Sequence, residues 1–319
     1  MNRSATVKKE PLAVRSRNFW AAIRKDKLLY LMVIPGILYF IIFHYVPMMG
    51  LYIGFTKYNV YKGITASPFV GFDNFTRLFS MYGFPEALKN TLVISFKKIL
   101  FGFPLPIIFA IALNEIQQYR FKKVVQTVVC LPHFISWVVV QGLLYTLFSS
   151  TTGVIVDFAK VIGYEGRIIN LLASKEHFQT LIIASDIWKS FGYGSILYIA
   201  TISGIDQQLY EAATIDGAGK LRQIWHVTLP GLRSTIVIML IMRVGNILNA
   251  GFDQIYAITN PMVTEVSEIL DTFVYKLGIT RQDFSRATAA GMFKSVIGLI
   301  MVLLTNWLAK KIDPESGIM

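Results

Sequence analysis

Six apolar stretches of spanning length, near residues 28–49, 88–113, 124–148, 179–204, 235–258 and 287–309, dominate this sequence. Crossing a hydrocarbon core of about 30 Å takes about 20 apolar residues in a helix. Lipid offers backbone amides no partner, so a spanning segment must satisfy its own. No alternating ten-residue pattern of the barrel type is present, and the stretches therefore read as helices. The second and fourth are interrupted by charge. The expected fold class is an all-α polytopic membrane protein with six transmembrane helices. Composition agrees: 54% of residues are hydrophobic and 16% charged, against about 45–50% and about 25% in soluble domains.

The 31 Lys and Arg outnumber 19 Asp and Glu. Eight of the basic residues precede the first apolar run, which makes them a topology signal and leaves no basic, aromatic-rich soluble surface for nucleic acid. Residues 1–27 form a basic leader, too long and followed by too long an apolar run for a cleaved signal peptide. Residues 28–309 form the membrane domain and 310–319 a polar tail. With the N-terminus inside, the inner segments hold more Lys and Arg than the longer outer loops, so both termini are expected in the cytoplasm. In the first outer loop, Phe72, Phe75 and Phe79 have helical spacing, as in an amphipathic helix on the membrane surface. The single Cys130 excludes an intrachain disulfide. His44, His133, His177 and His226 are scattered without metal-ligand spacing.

Residues 205–234 are a polar interruption between two apolar runs, which this topology places in the cytoplasm. Asp206 is a helix N-cap, with Ile205 and Tyr210 spaced as a staple. The helix carries Glu211, Ala212 and Ala213, passes Asp216 and ends at Gly217. Leu221, Ile224, Trp225 and Thr228 form one face of a second helix, with Lys220, Arg222 and Gln223 opposite. Pro230 biases Leu229 away from the helical region and starts the next membrane helix. Small residues at the bend permit close approach of another surface, and Glu211 offers it a carboxylate. The bland alternative is a hairpin that packs only on its own chain.

The pattern Glu-Ala-Ala, three residues, Gly, a spacer and Leu-Pro, with YVPMMGLYIGF (45–55), KNTLVIS (89–95) and LPHFISWVVV (131–140), resembles the permease subunits of carbohydrate ABC importers of the maltose-importer type. It is most similar to the branch handling complex oligosaccharides, including uronic-acid chains such as alginate or aldouronates. That resemblance implies a type I importer permease fold, a second homologous permease as heterodimer partner, two ATPase subunits and an extracytoplasmic solute-binding protein. It also implies ATPase docking through Glu211, Ala212, Ala213, Asp216, Gly217, Leu229 and Pro230. Val227 replaces the usual Ile, and Ser234 stands where a Pro often follows. No G-x-x-x-x-G-K-[ST] occurs, since Gly219-Lys220 is followed by Leu221 and lacks the first Gly. ATP and Mg are thus expected on the partner ATPase, with no cofactor on this chain.

Ionisable groups at membrane depth usually face a bundle interior or water. Arg243, Asn246, Asn249 and Asp253, spaced 3, 3 and 4, make one polar stripe on the fifth helix, suited to sugar hydroxyls or to hydrogen bonds with a neighbouring helix. Asp186, Lys189 and Tyr193 share a face of the fourth, where the first two read as a neutralising pair and Tyr193 as a stacking ring or as packing. Lys97 and Lys98, about 10 Å from the outer end of the second helix, read as snorkelling side chains, as does Lys294. Their alternative role is attraction of an acidic saccharide. An ion-coupled secondary sugar transporter is the competing function, but internal repeats with broken helices in matching positions are not evident. An intramembrane enzyme would need paired catalytic groups at one depth, and only Asp186 and Lys189 approach that.

Overall fold

The computed structural model describes residues 26–163 and 169–312. Nearly all of the basic leader, Arg167 in the third loop and the tail beyond Ile312 lie outside the described residues. The helices Lys27–Phe55, Phe84–Asn114, Lys220–Gly245 and Phe284–Ile312 contain the four spans that are long and apolar enough to cross a membrane unaided. A bent pair, Tyr119–Phe134 and Trp137–Phe148, supplies another crossing, and its halves meet at 100°. Lys175–Ser203, 29 residues long, carries Asp186 and Lys189 and is not among the spans apolar enough to cross unaided. The chain is an all-α, multi-pass membrane protein, and no strand occurs among the described residues.

Two of the expected continuous spans are broken. The run 124–148 divides where Ile135 turns extended and the Ser136 hydroxyl accepts the Val139 amide at 3.4 Å, capping a new helix. The expected helix over 235–258 instead begins at Lys220 and stops at Gly245; a turn follows, and Phe252–Ile258 is separate. Gly251, at φ 98°, makes that re-entry, a conformation other residues adopt only at a cost.

Prolines are accommodated by a repeated device. Pro230 lies inside the fifth span, and Leu229 is helical, contrary to the boundary expected there. The five residues before Leu229, Ile224–Thr228, widen into a π turn whose closing bond runs from the Leu229 amide to the Ile224 carbonyl. A π turn gives the proline ring room over the preceding carbonyls, so the helix continues. Ile41–Tyr45, just before Pro47, repeats the arrangement in the first span.

Two apolar cores lie at different heights. Ile94, Phe178, Ile182, Ile255 and Ile269 form one, and Ile107, Ala110, Tyr198, Ile202 and Leu232 form the other. A third cluster joins Leu78, Phe84, Phe273 and Ala289 under the first loop. There the short helix Asp73–Phe79 is anchored by Leu78, while Phe72 and Phe79 remain exposed. Asn74 Nδ2 donates to the carbonyls of Gly54 and Thr56, both at 2.9 Å, tying this helix to the end of the first span.

Helices Lys175–Ser203 and Tyr119–Cys130 meet at Gly192, where a Cβ would fall 2.2 Å from the Val129 carbonyl oxygen. The obstacle is backbone, so a side-chain adjustment gives no relief. Gly192→Ala is expected to destabilise the fold by about 1–3 kcal/mol, read as a lower melting temperature of the purified protein in detergent. An unchanged melting temperature would mean that the two helices separate freely there.

Candidate functional site

Two polar assemblies stand out against the apolar bundle. The first is the hairpin at one end. Asp206 caps Gln207–Ile215, its carboxylate accepting the Gln208 amide at 3.0 Å. Asp216 is the C-cap, and Gly217 follows at φ 75°. The bend is braced from within: Gln223 Nε2 donates to Thr214 Oγ1 at 2.9 Å and to the Ala218 carbonyl at 3.1 Å. Tyr210 and Thr228 hydroxyls pair at 3.0 Å. Ile205, expected to staple onto Tyr210, has its side chain against Gly231, where a Cβ would fall 2.5 Å from Ile205 Cδ1.

The apolar face expected to bury itself stays largely open. Thr228 is buried and Ile224 half-buried, but Leu221 is 76% and Trp225 67% exposed, and Ile215 is 86% exposed. Gln223, expected on the solvent side, is the buried bracing residue. Glu211 and Ala212 are exposed and Ala213 half-buried. Glu211 borders a groove of about 650 Å³ between the hairpin and Asn114–Gln117, crossed by the Lys220–Glu115 ion pair at 3.3 Å. Of the remaining hairpin positions, Leu229 and Pro230 lie within the fifth helix rather than at its edge.

The second assembly lies between the two apolar cores. Halfway along Phe84–Asn114, Lys98 is buried and donates to Asp186 Oδ1 at 3.1 Å, the Ala250 carbonyl at 2.9 Å and Gln254 Oε1 at 2.5 Å. Gln254, fully buried, passes the network on to the Ile182 carbonyl at 2.6 Å and Ser185 Oγ at 3.0 Å. Lys98 is thus no snorkelling side chain. An ammonium carries three donors, and here each has its acceptor, which makes burial of the charge tolerable. Lys97 bonds Gln179 Oε1 at 2.9 Å. Lys294, also read as snorkelling, bonds Asp271 and reaches Asn249 Oδ1 at 2.5 Å.

The expected Asp186–Lys189 pair does not form. Asp186 is engaged by Lys98 and, at 3.8 Å, by Arg243. Lys189 donates to the His133 carbonyl at 2.5 Å, with Nζ 5.5 Å from the Trp137 ring centre. It thereby secures the corner between the halves of the bent crossing. Tyr193 stacks on His133, centroids 3.9 Å apart and planes 2° from parallel.

The stripe expected from Arg243 to Asp253 is divided by the helix break. Arg243 occupies the last turn of the helix; Asn246 donates to the Met242 carbonyl and Asn249 to Asn246 Oδ1, each at 3.0 Å. Asp253 is exposed and starts the next helix. Arg243, Asn246 and Asn249 border a cavity of about 150 Å³ with Lys98 and Asp186. Asn246 and Asn249 also border a second cavity of about 460 Å³ with Asp271 and Lys294. Lys98, Gln254 and Asp271 had no sequence signature of this role; the clue near them was Gly251, which marks the turn.

A family profile described as "binding-protein-dependent transport system inner membrane component" matches residues 102–314. Protein LplB of Bacillus subtilis (strain 168) is 44% identical over 299 residues, covering 94% of this chain and 93% of that protein. The polygalacturonan/rhamnogalacturonan transport system permease protein YteP of the same organism is 45% identical over 292 residues, covering 92% and 90%. Among solved structures, a chain of a bacterial ABC transporter involved in the import of the acidic polysaccharide alginate superimposes with a TM-score of 0.86 at 40% identity, covering 93% of this chain and 99% of that one. A second, in complex with an alginate pentasaccharide-bound periplasmic protein, gives 0.84. With its helical bundle, its polar layer and its braced hairpin, this chain belongs to the family of binding-protein-dependent transport system inner membrane components, the permeases of ABC transporters.

Proposed function

We propose that this chain is the permease subunit through which an ABC importer moves an oligosaccharide, of the uronic-acid-containing class, across the bacterial cytoplasmic membrane. The observation that carries the reading is the hairpin. It is stiffened from inside by Gln223 and Tyr210 while presenting Glu211, Ile215, Leu221 and Trp225 outward. A rigid, partly apolar projection of this kind suits a partner surface, and the partner is a cytoplasmic ATPase subunit. Glu211, Ala212, Ala213, Asp216 and Gly217 belong to the docking element, with Leu229 and Pro230 joining it to the membrane. A second, homologous permease pairs with this one, and a solute-binding protein delivers the sugar from outside. ATP and Mg bind the ATPase, and this chain performs no covalent step.

Arg243, Asn246 and Asn249, at the break in the fifth span, belong to the sugar pathway. Asp186, bonded by Lys98, lies 3.8 Å from Arg243 without a hydrogen bond to it. Lys189 and Tyr193 serve it indirectly, by fixing the bent crossing. Asp253, exposed at the start of the next helix, lies beside the pathway.

Tagging this chain in its native host is expected to copurify a second permease and an ATPase, and the isolated complex to import oligosaccharide into liposomes only with ATP and binding protein. Uptake by this chain alone under an ion gradient would overturn the reading in favour of a secondary transporter.

A further inference from the structure

The polar layer has a charge imbalance. Lys98, Arg243 and Lys294 face two carboxylates, Asp186 and Asp271, across the two adjoining cavities. Lys294 takes Asp271, and Lys98 takes Asp186 by a direct hydrogen bond. Arg243 is left with the far oxygen of Asp186 at 3.8 Å, beyond hydrogen-bond range. Its side chain is 43% exposed, whereas that of Lys98 is 7% exposed. A guanidinium at membrane depth without its own counter-ion is costly, and its planar fork matches a carboxylate in bidentate fashion. Beside it, the break in the helix exposes the Asn246 and Asn249 side chains, which offer donors and acceptors for hydroxyl groups.

We infer that Arg243 is the specificity-determining residue of this permease, reading one carboxylate of a passing acidic saccharide while Asn246 and Asn249 meet adjacent hydroxyls. Lys98 takes no part in recognition: its donors are spent, and it holds Asp186 so that the aspartate cannot close fully on Arg243. The inference rests on the transport reading above and adds the residue and the charge it selects.

The test uses the whole copurified complex in liposomes, with binding protein and ATP. Uptake of a uronic-acid trisaccharide is compared with that of its carboxyl-reduced, neutral counterpart at equal occupancy of the binding protein. Arg243→Gln is expected to lower the preference for acidic over neutral sugar, the ratio of the two uptake rates, at least about tenfold, the scale of one lost charge-assisted contact. Arg243→Lys should retain charge preference but lose part of the acidic rate. Equal loss on both sugars in an assembled complex, or no loss on either, would overturn the inference while leaving the transport reading intact. Detachment of the partner permease by Arg243→Gln with rescue by Arg243→Lys would also overturn it, by assigning the counter-ion to that partner. A wild-type complex that moves neither sugar would overturn both.

Discussion

Lys98→Met is expected to destabilise the folded chain by about 3–5 kcal/mol, the cost of removing one member of a buried ion pair. The substitution preserves much of the volume but strips three acceptors of their donor: Asp186 Oδ1, the Ala250 carbonyl and Gln254 Oε1. Asp186 would then depend on Arg243, which does not approach within hydrogen-bond distance. The effect reaches further than the pair because Ala250 and Gln254 flank the helix break. Released from Lys98, the turn at 246–251 loses an anchor to Phe84–Asn114. Thermal unfolding in detergent reads the loss. Asp186→Asn in the Lys98→Met background should recover part of it, because the second substitution removes the stranded charge. Strictly additive losses would mean that the two residues act independently.

Glu211→Lys carries the other large effect, and on function alone. Glu211 is exposed and makes no hydrogen bond or ion pair among the described residues, so the fold should change by less than about 0.5 kcal/mol. Reversing a charge within a docked interface costs on the order of 2–5 kcal/mol. ATP-driven uptake is accordingly expected to fall to background, with reduced recovery of the ATPase on the tagged chain and an unchanged melting temperature. Normal uptake by this variant would remove Glu211 from the docking element.

The all-helical membrane fold and the position of the hairpin were legible in the sequence because each rests on a local property: apolar length for the first, caps and a left-handed glycine for the second. The breaks were harder to see. The run 235–258 is apolar and contains no proline, so its length argues for one helix; Gly245 and Gly251 were the available marks of its division. The roles of Lys98 and Lys189 depended on that division and on the bend at Ile135. Each charge was judged by its own helix, while its partners came from others: Ala250 and Gln254 for Lys98, the His133 carbonyl for Lys189. The face of the second hairpin helix misled for a related reason. Periodicity identifies an apolar stripe but not which molecule will cover it, and Leu221 and Trp225 remain uncovered by this chain.

The unbroken course of the helix from Lys220 to Gly245 gives the molecule a mechanical advantage. Its 26 residues make a rod of about 39 Å, at about 1.5 Å per residue. With the hairpin as the handle, a tilt of about 10° about that end would sweep the Arg243 end through about 7 Å on the same rise, comparable to the width of a sugar ring. The π turn at Ile224–Thr228 keeps the rod in one piece past Pro230, so little of a push at one end is absorbed before it reaches the other.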